Sequence, residues 1–147
     1  MTKMRDIGHQ SCTLAHALSE IGDAWSFLIL REAFYGRTRF SEFVRYTGAQ
    51  KTVVSARLQQ LVDAQVLRRE PYSEHPPRDR YVLTEKGLDL SDALLVLGEW
   101  GRRWADDDRH FSVSFVHEAC GELVDPRLHC AACKGPVTRE NTAPRVE

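Results

Sequence analysis

The sequence predicts a mainly α fold carrying one small β-hairpin, an α+β arrangement, and three observations predict it. Residues 13–65 hold four stretches with apolar residues at intervals of three and four, separated by Gly22, Gly36 and Gly48. Residues 66–84 hold two strand-like segments, Val66–Tyr72 and Arg80–Thr84, around a loop containing Pro76 and Pro77. Residues 85–105 return to a helical stripe.

Taken in order, Thr13–Ile21 places Leu14, Leu18 and Ile21 at helical spacing before Gly22-Asp23 breaks the run. In "AWSFLILREAFYG", Trp25, Leu28, Ile29 and Ala33 share a face and Gly36 is a C-terminal stop. "RTRFSEFVRYTG" gives a short third helix with Ser41 as N-cap, Phe40, Phe43 and Val44 as its apolar side, and Gly48 as its end. After the turn Gly48-Ala49-Gln50, a fourth helix spans Lys51–Gln65, with Val54, Leu58, Leu61 and Val62 on one stripe.

A bare two-stranded hairpin is marginal in water. The hairpin Val66–Thr84 is therefore expected to rest Val66, Leu67, Tyr81 and Leu83 on the helices and to project its arginines outward. Three short helices, a glycine-containing turn, a fourth helix and this hairpin make a winged helix-turn-helix the expected architecture. Thr84 then N-caps a long final helix, Glu85 to about Ala105, with Leu90, Leu94, Leu97, Gly101 and Trp104 in register. That stripe is longer than a small core needs. With Gly98, Gly101, Trp100 and Trp104 it reads as a dimerisation helix, the alternative being packing on its own domain. The organisation is an N-terminal arm (1–11), the winged domain with its dimerisation helix (12–105), and a C-terminal tail (106–147) in which Asp106-Asp107-Asp108 is a solvated hinge.

At 147 residues the chain is one domain with appendages. Its apolar runs are too short to span a bilayer and its start lacks an apolar signal core, so a cytoplasmic protein without membrane contact is expected. There, four cysteines are free, metal-bound or redox-active rather than a disulfide framework. The net charge of −1 conceals an asymmetry: residues 31–80 carry +4 and the remainder −5. A phosphate responds to the local field, so this middle third is compatible with nucleic acid. An enzyme is not expected, because His9, His16, His75 and His110 are scattered with no nucleophile or phosphate-binding loop beside them.

If Val54, Leu58 and Leu61 face inward, the fourth helix turns Thr52, Ser55, Ala56 and Gln59 outward, with Lys51 at its entrance. Small residues let a helix descend into the major groove, Gln can pair with adenine, and a helix N-terminus favours phosphate. Arg37, Arg39 and Arg57 are expected to fix register on the DNA backbone, with Arg78 and Arg80 carrying the wing to a phosphate or the minor groove. The bland reading, a polar face that merely solubilises a surface helix, holds for any one of these residues and not for the combination.

The run from Cys12 to about Trp104 resembles the HxlR-type family of bacterial winged-helix regulators. The resemblance rests on Gly22–Trp25, "LILRE" at 28–32, "RFSEF" at 39–43, "RL..L" at 57–61, "YVLTEKG" at 81–87 and "WG" at 100–101. It implies a homodimeric transcription factor, commonly a repressor and sometimes an activator, that answers a chemical signal. Where the family often has two Gly followed by Lys, this chain has Gly22-Asp23-Ala24, and Cys-Pro is replaced by Cys12-Thr13.

Two candidate switches stand out. Cys12 lies at the start of the first helix, where the dipole favours the reactive thiolate, and some family members use an N-terminal cysteine in this way. A buried, inert Cys12 is the alternative. In the tail, His117, Cys120, Cys130 and Cys133 form His-x2-Cys, nine residues, Cys-x2-Cys, a spacing suited to a small structural Zn2+ knuckle. His129 competes with His117, and Lys134 stands where a knuckle usually has Gly. The expected function is a repressor that binds double-stranded DNA, at a palindromic operator, as a homodimer and responds to a small-molecule or thiol-reactive effector. A winged-helix module that binds protein or metal without DNA is the rival.

Overall fold

In place of one long helix after the hairpin, the chain has two short ones with a turn between them. The computed structural model describes residues 12–104 and 115–144, so the expected arm and the Asp106–Asp108 hinge lie outside the described residues. Two units divide between Ser91 and Asp92.

The first unit runs α1 (Thr13–Ile21), α2 (Ala24–Phe34), α3 (Phe40–Thr47), α4 (Lys51–Asp63), β1 (Leu67–Glu74), β2 (Pro77–Leu83) and α5 (Glu85–Leu88). Its core is Ile29 and Leu30 of α2, Phe43 of α3, and Val54, Leu58 and Leu61 of α4, closed by Val66 and Leu67 where the chain enters β1. The hairpin rests on this core through Val66 and Leu67, and the Tyr81 ring meets Phe43 edge-on at 6.2 Å.

Asp23 fixes the start of α2. Its carboxylate accepts the amides of Trp25 at 3.1 Å and Ser26 at 3.3 Å, and also Arg57 Nε at 3.0 Å, which ties α4 to the same point. With the helix beginning at Ala24, the buried face becomes Ser26, Ile29, Leu30 and Ala33. Trp25, expected inside, is 38% exposed because it sits one residue, or about 100°, off that face. Gly22 (φ +99°) permits the approach of α4: a Cβ there would lie 2.7 Å from Gln60 Nε2.

Burial raises the Asp23 carboxyl pKa, but hydrogen bonds and charge from Arg57, with the Ser26 and Trp25 amides, outweigh it and leave the group below its ordinary value of 3.8. The native state thus holds this proton less tightly than the unfolded chain does. The associated stability is complete above pH 3.8 and is lost as pH falls through the lower native value. Asp23→Ala is expected to lower the unfolding free energy by about 2 kcal/mol at neutral pH in urea titrations, and to flatten the acid limb of stability against pH.

Ser41 is not the N-cap of α3. Glu42 reaches back to the amides of Thr38 at 3.0 Å and Arg39 at 2.8 Å, so the helix begins at Phe40 with Arg39 at its cap position. At the other end of the motif, α4 stops at Asp63, two residues earlier than its periodicity suggests, because Gln65 turns left-handed at φ 59°. Both strands extend further toward the tip than expected, with Pro77 inside β2 and only His75-Pro76 left as the turn. They pair antiparallel from Leu67 with Leu83 to Glu74 with Pro77, with an irregularity between Pro71 and Ser73.

The expected long helix Glu85–Ala105 is α5 followed by α6 (Ser91–Arg103), with Ala105 beyond the described residues. Thr84 does cap the first of them, accepting the Gly87 amide at 3.1 Å. The break comes where the Leu90 amide reaches only three residues back, to Gly87 O at 3.2 Å. Apolar periodicity survives such a break, which is why the sequence reads as continuous.

The second unit holds α6 from Asp92 and the tail. None of its described side chains is buried, and Leu97, Trp100 and Trp104 are 50%, 61% and 67% exposed. Two isolated bridges, Val116 with Leu123 and His129 with Pro136, frame two tight turns, followed by a single 3-10 turn at Arg139–Asn141.

Candidate nucleic-acid interface

The outer face of α4 forms because its inner face is fully committed. Val54, Leu58 and Leu61 have no exposed surface, and that phase turns Lys51, Thr52, Ser55, Ala56 and Gln59 to solvent as one continuous face. Gln50, at the N-cap, makes no side-chain capping bond, so the first-turn amides of α4 stay open at the end that carries Lys51. No acidic side chain interrupts the face before Asp63.

Gln59 is exposed and doubly held. Its Nε2 donates to Asp63 Oδ1 at 2.6 Å, and its Oε1 accepts from Arg69 of β1, whose guanidinium also lies over the Tyr81 ring at 5.6 Å. Pairing with a base edge would require this chain to open. Thr52, Ser55 and Ala56 carry no such tether among the described residues.

The arginines divide into free and committed. Arg39 and Arg78 come together, with Ser41, Tyr72, Asp79, Phe40 and Tyr81, around a groove of about 470 Å³ between the start of α3 and the wing. Arg39 lies 5.3 Å over the Tyr72 ring, and the Tyr81 amide donates to Thr38 O at 2.7 Å, seating β2 beside α3. Two guanidiniums, opposed by the single Asp79 carboxylate, leave the groove net positive, and with the Ser41 hydroxyl they can hold a backbone phosphate. Tyr72 was not anticipated as part of this site; it lies within the register irregularity of β1, which alternation alone does not reveal.

Arg37, by contrast, lies 4.1 Å over the Tyr46 ring with Nε 3.8 Å from Glu32, a residue only 3% exposed. Arg57 is spent on Asp23. Arg80 donates to Glu70 Oε2 at 2.9 Å while Arg68 Nε donates to Glu70 Oε1 at 2.9 Å, so one carboxylate engages two wing guanidiniums and cancels one of their two charges. Hydrogen bonds from Arg68, then Arg80, hold the Glu70 carboxyl below its ordinary range, keeping it charged. Glu70→Gln is expected to tighten binding to DNA of any sequence and to steepen its salt dependence by up to about two units in log–log slope, measured by fluorescence anisotropy.

Cys12 occupies the N-cap position of α1, exposed and free. The buried alternative therefore falls. In the tail, His117 Nδ1 lies 3.3 Å from Cys120 Sγ, Cys130 is half-buried, and Cys133 is exposed. Amide hydrogen bonds from Cys133 and Ala132, then the Cys133 side chain, pull the Cys130 thiol below its ordinary pKa. Among the described residues, no three His, Cys, Asp or Glu side chains gather into one metal-holding cluster. Trp25, placed by its spacing on the apolar face of α2, is exposed, as is Trp100, which the sequence places on the stripe of the final helix, and Phe34 is half-buried. No helix of the described residues is long and apolar enough to cross a membrane.

Residues 20–109 match the family described as HxlR-like helix-turn-helix. An HTH-type transcriptional regulator of Mycobacterium tuberculosis, Rv3095, is 38% identical over 95% of this chain and 89% of its own length, and Mb3122 of Mycobacterium bovis matches equally. The crystal structure of PA1607, described there as a transcription factor, superposes with a TM-score of 0.84 at 33% identity, covering 97% of this chain and 99% of that one. The redox regulator HypR in its oxidized form gives a TM-score of 0.61 at 30% identity over 65% of this chain and all of that one.

Proposed function

This chain belongs to the HxlR-like helix-turn-helix family and is a DNA-binding transcriptional regulator, not an enzyme; from that footing we propose that it is a cytoplasmic repressor acting as a homodimer on a palindromic operator. The observations that support the DNA geometry are the outer face of α4, untethered at Thr52, Ser55 and Ala56, and the Arg39–Arg78 groove between α3 and the wing. α4 enters the major groove with Thr52, Ser55 and Ala56 against base edges and Lys51 at a phosphate, while Arg39 and Arg78 grip the backbone alongside. Gln59 reads a base once Arg69 leaves it for a phosphate, and Arg80 contributes only when Glu70 is displaced.

The exposed Leu97, Trp100 and Trp104 of α6, with Gly98 and Gly101 opening onto free space, support a dimer seam there. The exposed Cys12 at a helix start, together with the likeness to a redox regulator, supports a thiol-reactive signal. Anisotropy titration against DNA from immediately upstream of the gene tests the reading. From about 50 to about 200 mM salt, affinity is expected to fall on the order of 1,000-fold. A thiol oxidant should abolish binding by the native chain and spare Cys12→Ser. Binding indifferent to salt overturns the DNA reading, and equal loss in both proteins overturns Cys12 alone.

A further inference from the structure

The two tight turns of the tail are the same turn built twice. In the first, His117 N donates to Glu122 O at 2.8 Å and Gly121 N to His117 O at 2.7 Å, inside the Val116–Leu123 bridge. In the second, Cys130 N donates to Gly135 O at 2.9 Å and Lys134 N to Cys130 O at 2.8 Å, inside the His129–Pro136 bridge. A shift of thirteen positions carries every one of these bonds onto its counterpart. The same shift carries His117 onto Cys130 and Cys120 onto Cys133.

It also carries Gly121 onto Lys134, at φ 75° and 59°. Lys134 therefore occupies the left-handed position that Gly fills in the first turn, at a cost of about 1 kcal/mol. His129 falls on Val116, a bridge position one residue before the turn, with its Nδ1 3.1 Å from Arg127 O.

We propose that these paired turns, one offering His117 and Cys120 and the other Cys130 and Cys133, close on a single Zn2+ ion as a structural zinc ribbon. The His117 Nδ1–Cys120 Sγ separation of 3.3 Å is close to the roughly 3.5 Å edge of a tetrahedron built from Zn–S and Zn–N bonds of about 2.3 and 2.0 Å. Within the second turn a Cβ on Gly135 would stand 3.4 Å from Cys133 Sγ, so the turn folds closely around that sulfur. The energetic argument is independent of this geometry. Residues 115–144 bury no side chain, and Phe115, Val116, Leu123 and Leu128 are all at least 42% exposed, so apolar burial cannot hold two ordered turns together. A unit of this size needs a metal or disulfides, and the four cysteines are free. On binding, the three thiols lose their protons to solvent and His117 ligates as the neutral ring.

The test uses the full chain purified under reducing conditions without added metal, read by elemental analysis and then by cobalt substitution. One zinc per chain and a tetrahedral cobalt spectrum with strong sulfur-to-cobalt charge transfer are expected. His117→Ala and Cys130→Ser should each weaken metal affinity on the order of 100-fold or more, while His129→Ala and Cys12→Ser leave it unchanged. Zinc below a tenth of an equivalent, an octahedral cobalt spectrum, a tail disulfide in the reduced preparation, or loss caused by His129→Ala with retention in His117→Ala would overturn the site.

Discussion

Ala56→Glu is expected to weaken operator binding at least ~100-fold while leaving thermal unfolding unchanged. Ala56 is exposed on α4 between Ser55 and the inward-facing Leu58, so a longer side chain meets nothing in the free protein. Glutamate is a good helix former and its propensity difference from alanine is a few tenths of a kcal/mol. In the proposed docking the same position lies where the helix descends closest, so a carboxylate there would face both the groove floor and the flanking phosphates. A penalty of about 1.5 kcal/mol per half-site, doubled in a dimer, gives the expected loss. Ala56→Gln, equal in size and uncharged, separates bulk from charge and should fall between the two. Full operator affinity in Ala56→Glu would remove α4 as the docking helix.

Gly87→Ala has the opposite profile, a loss of about 3 kcal/mol in folding stability with no contribution from DNA. Its Cβ would stand 2.2 Å from Val66 O and 3.0 Å from Leu83 Cδ2. The Val66 carbonyl cannot step aside, because it accepts the Thr84 amide at 3.1 Å and the Thr84 hydroxyl at 3.1 Å, and Thr84 in turn caps Gly87. Here glycine serves close approach, where the wing's second strand hands the chain back to helix. Urea unfolding should show a lower midpoint at constant m-value. A change below about 1 kcal/mol would mean that α5 swings clear without disturbing the Val66 contacts.

The helices of the motif were legible because their signals are local. Leu14, Leu18 and Ile21, the stop glycines, and the spacing of Val54, Leu58 and Leu61 fixed α1 to α4 to within two residues and set the phase of the exposed α4 face. What the sequence concealed was pairing at a distance. Arg57 and Asp23 are 34 residues apart, and Arg80 and Glu70 meet only because the strand register places them opposite one another. Counting basic residues therefore overstated the charge on offer: Arg37, Arg57 and Arg80 are already engaged within the first unit. The split between α5 and α6 was hidden for a different reason, since a two-residue turn preserved the apolar phase.

The carboxylate that Glu70 places between Arg68 and Arg80 bears on how quickly such a regulator finds its operator. Residence on random chromosomal DNA rises steeply with each unpaired cation, and a molecule held too long at the wrong sites explores the genome slowly. With one unit of wing charge cancelled internally by Glu70, dwell times on non-cognate sequence are expected to shorten. An operator at which α4 docks as proposed, gaining contacts that random sequence does not offer, would lose little by comparison. Strand register thus sets the pace of search as well as the shape of the wing.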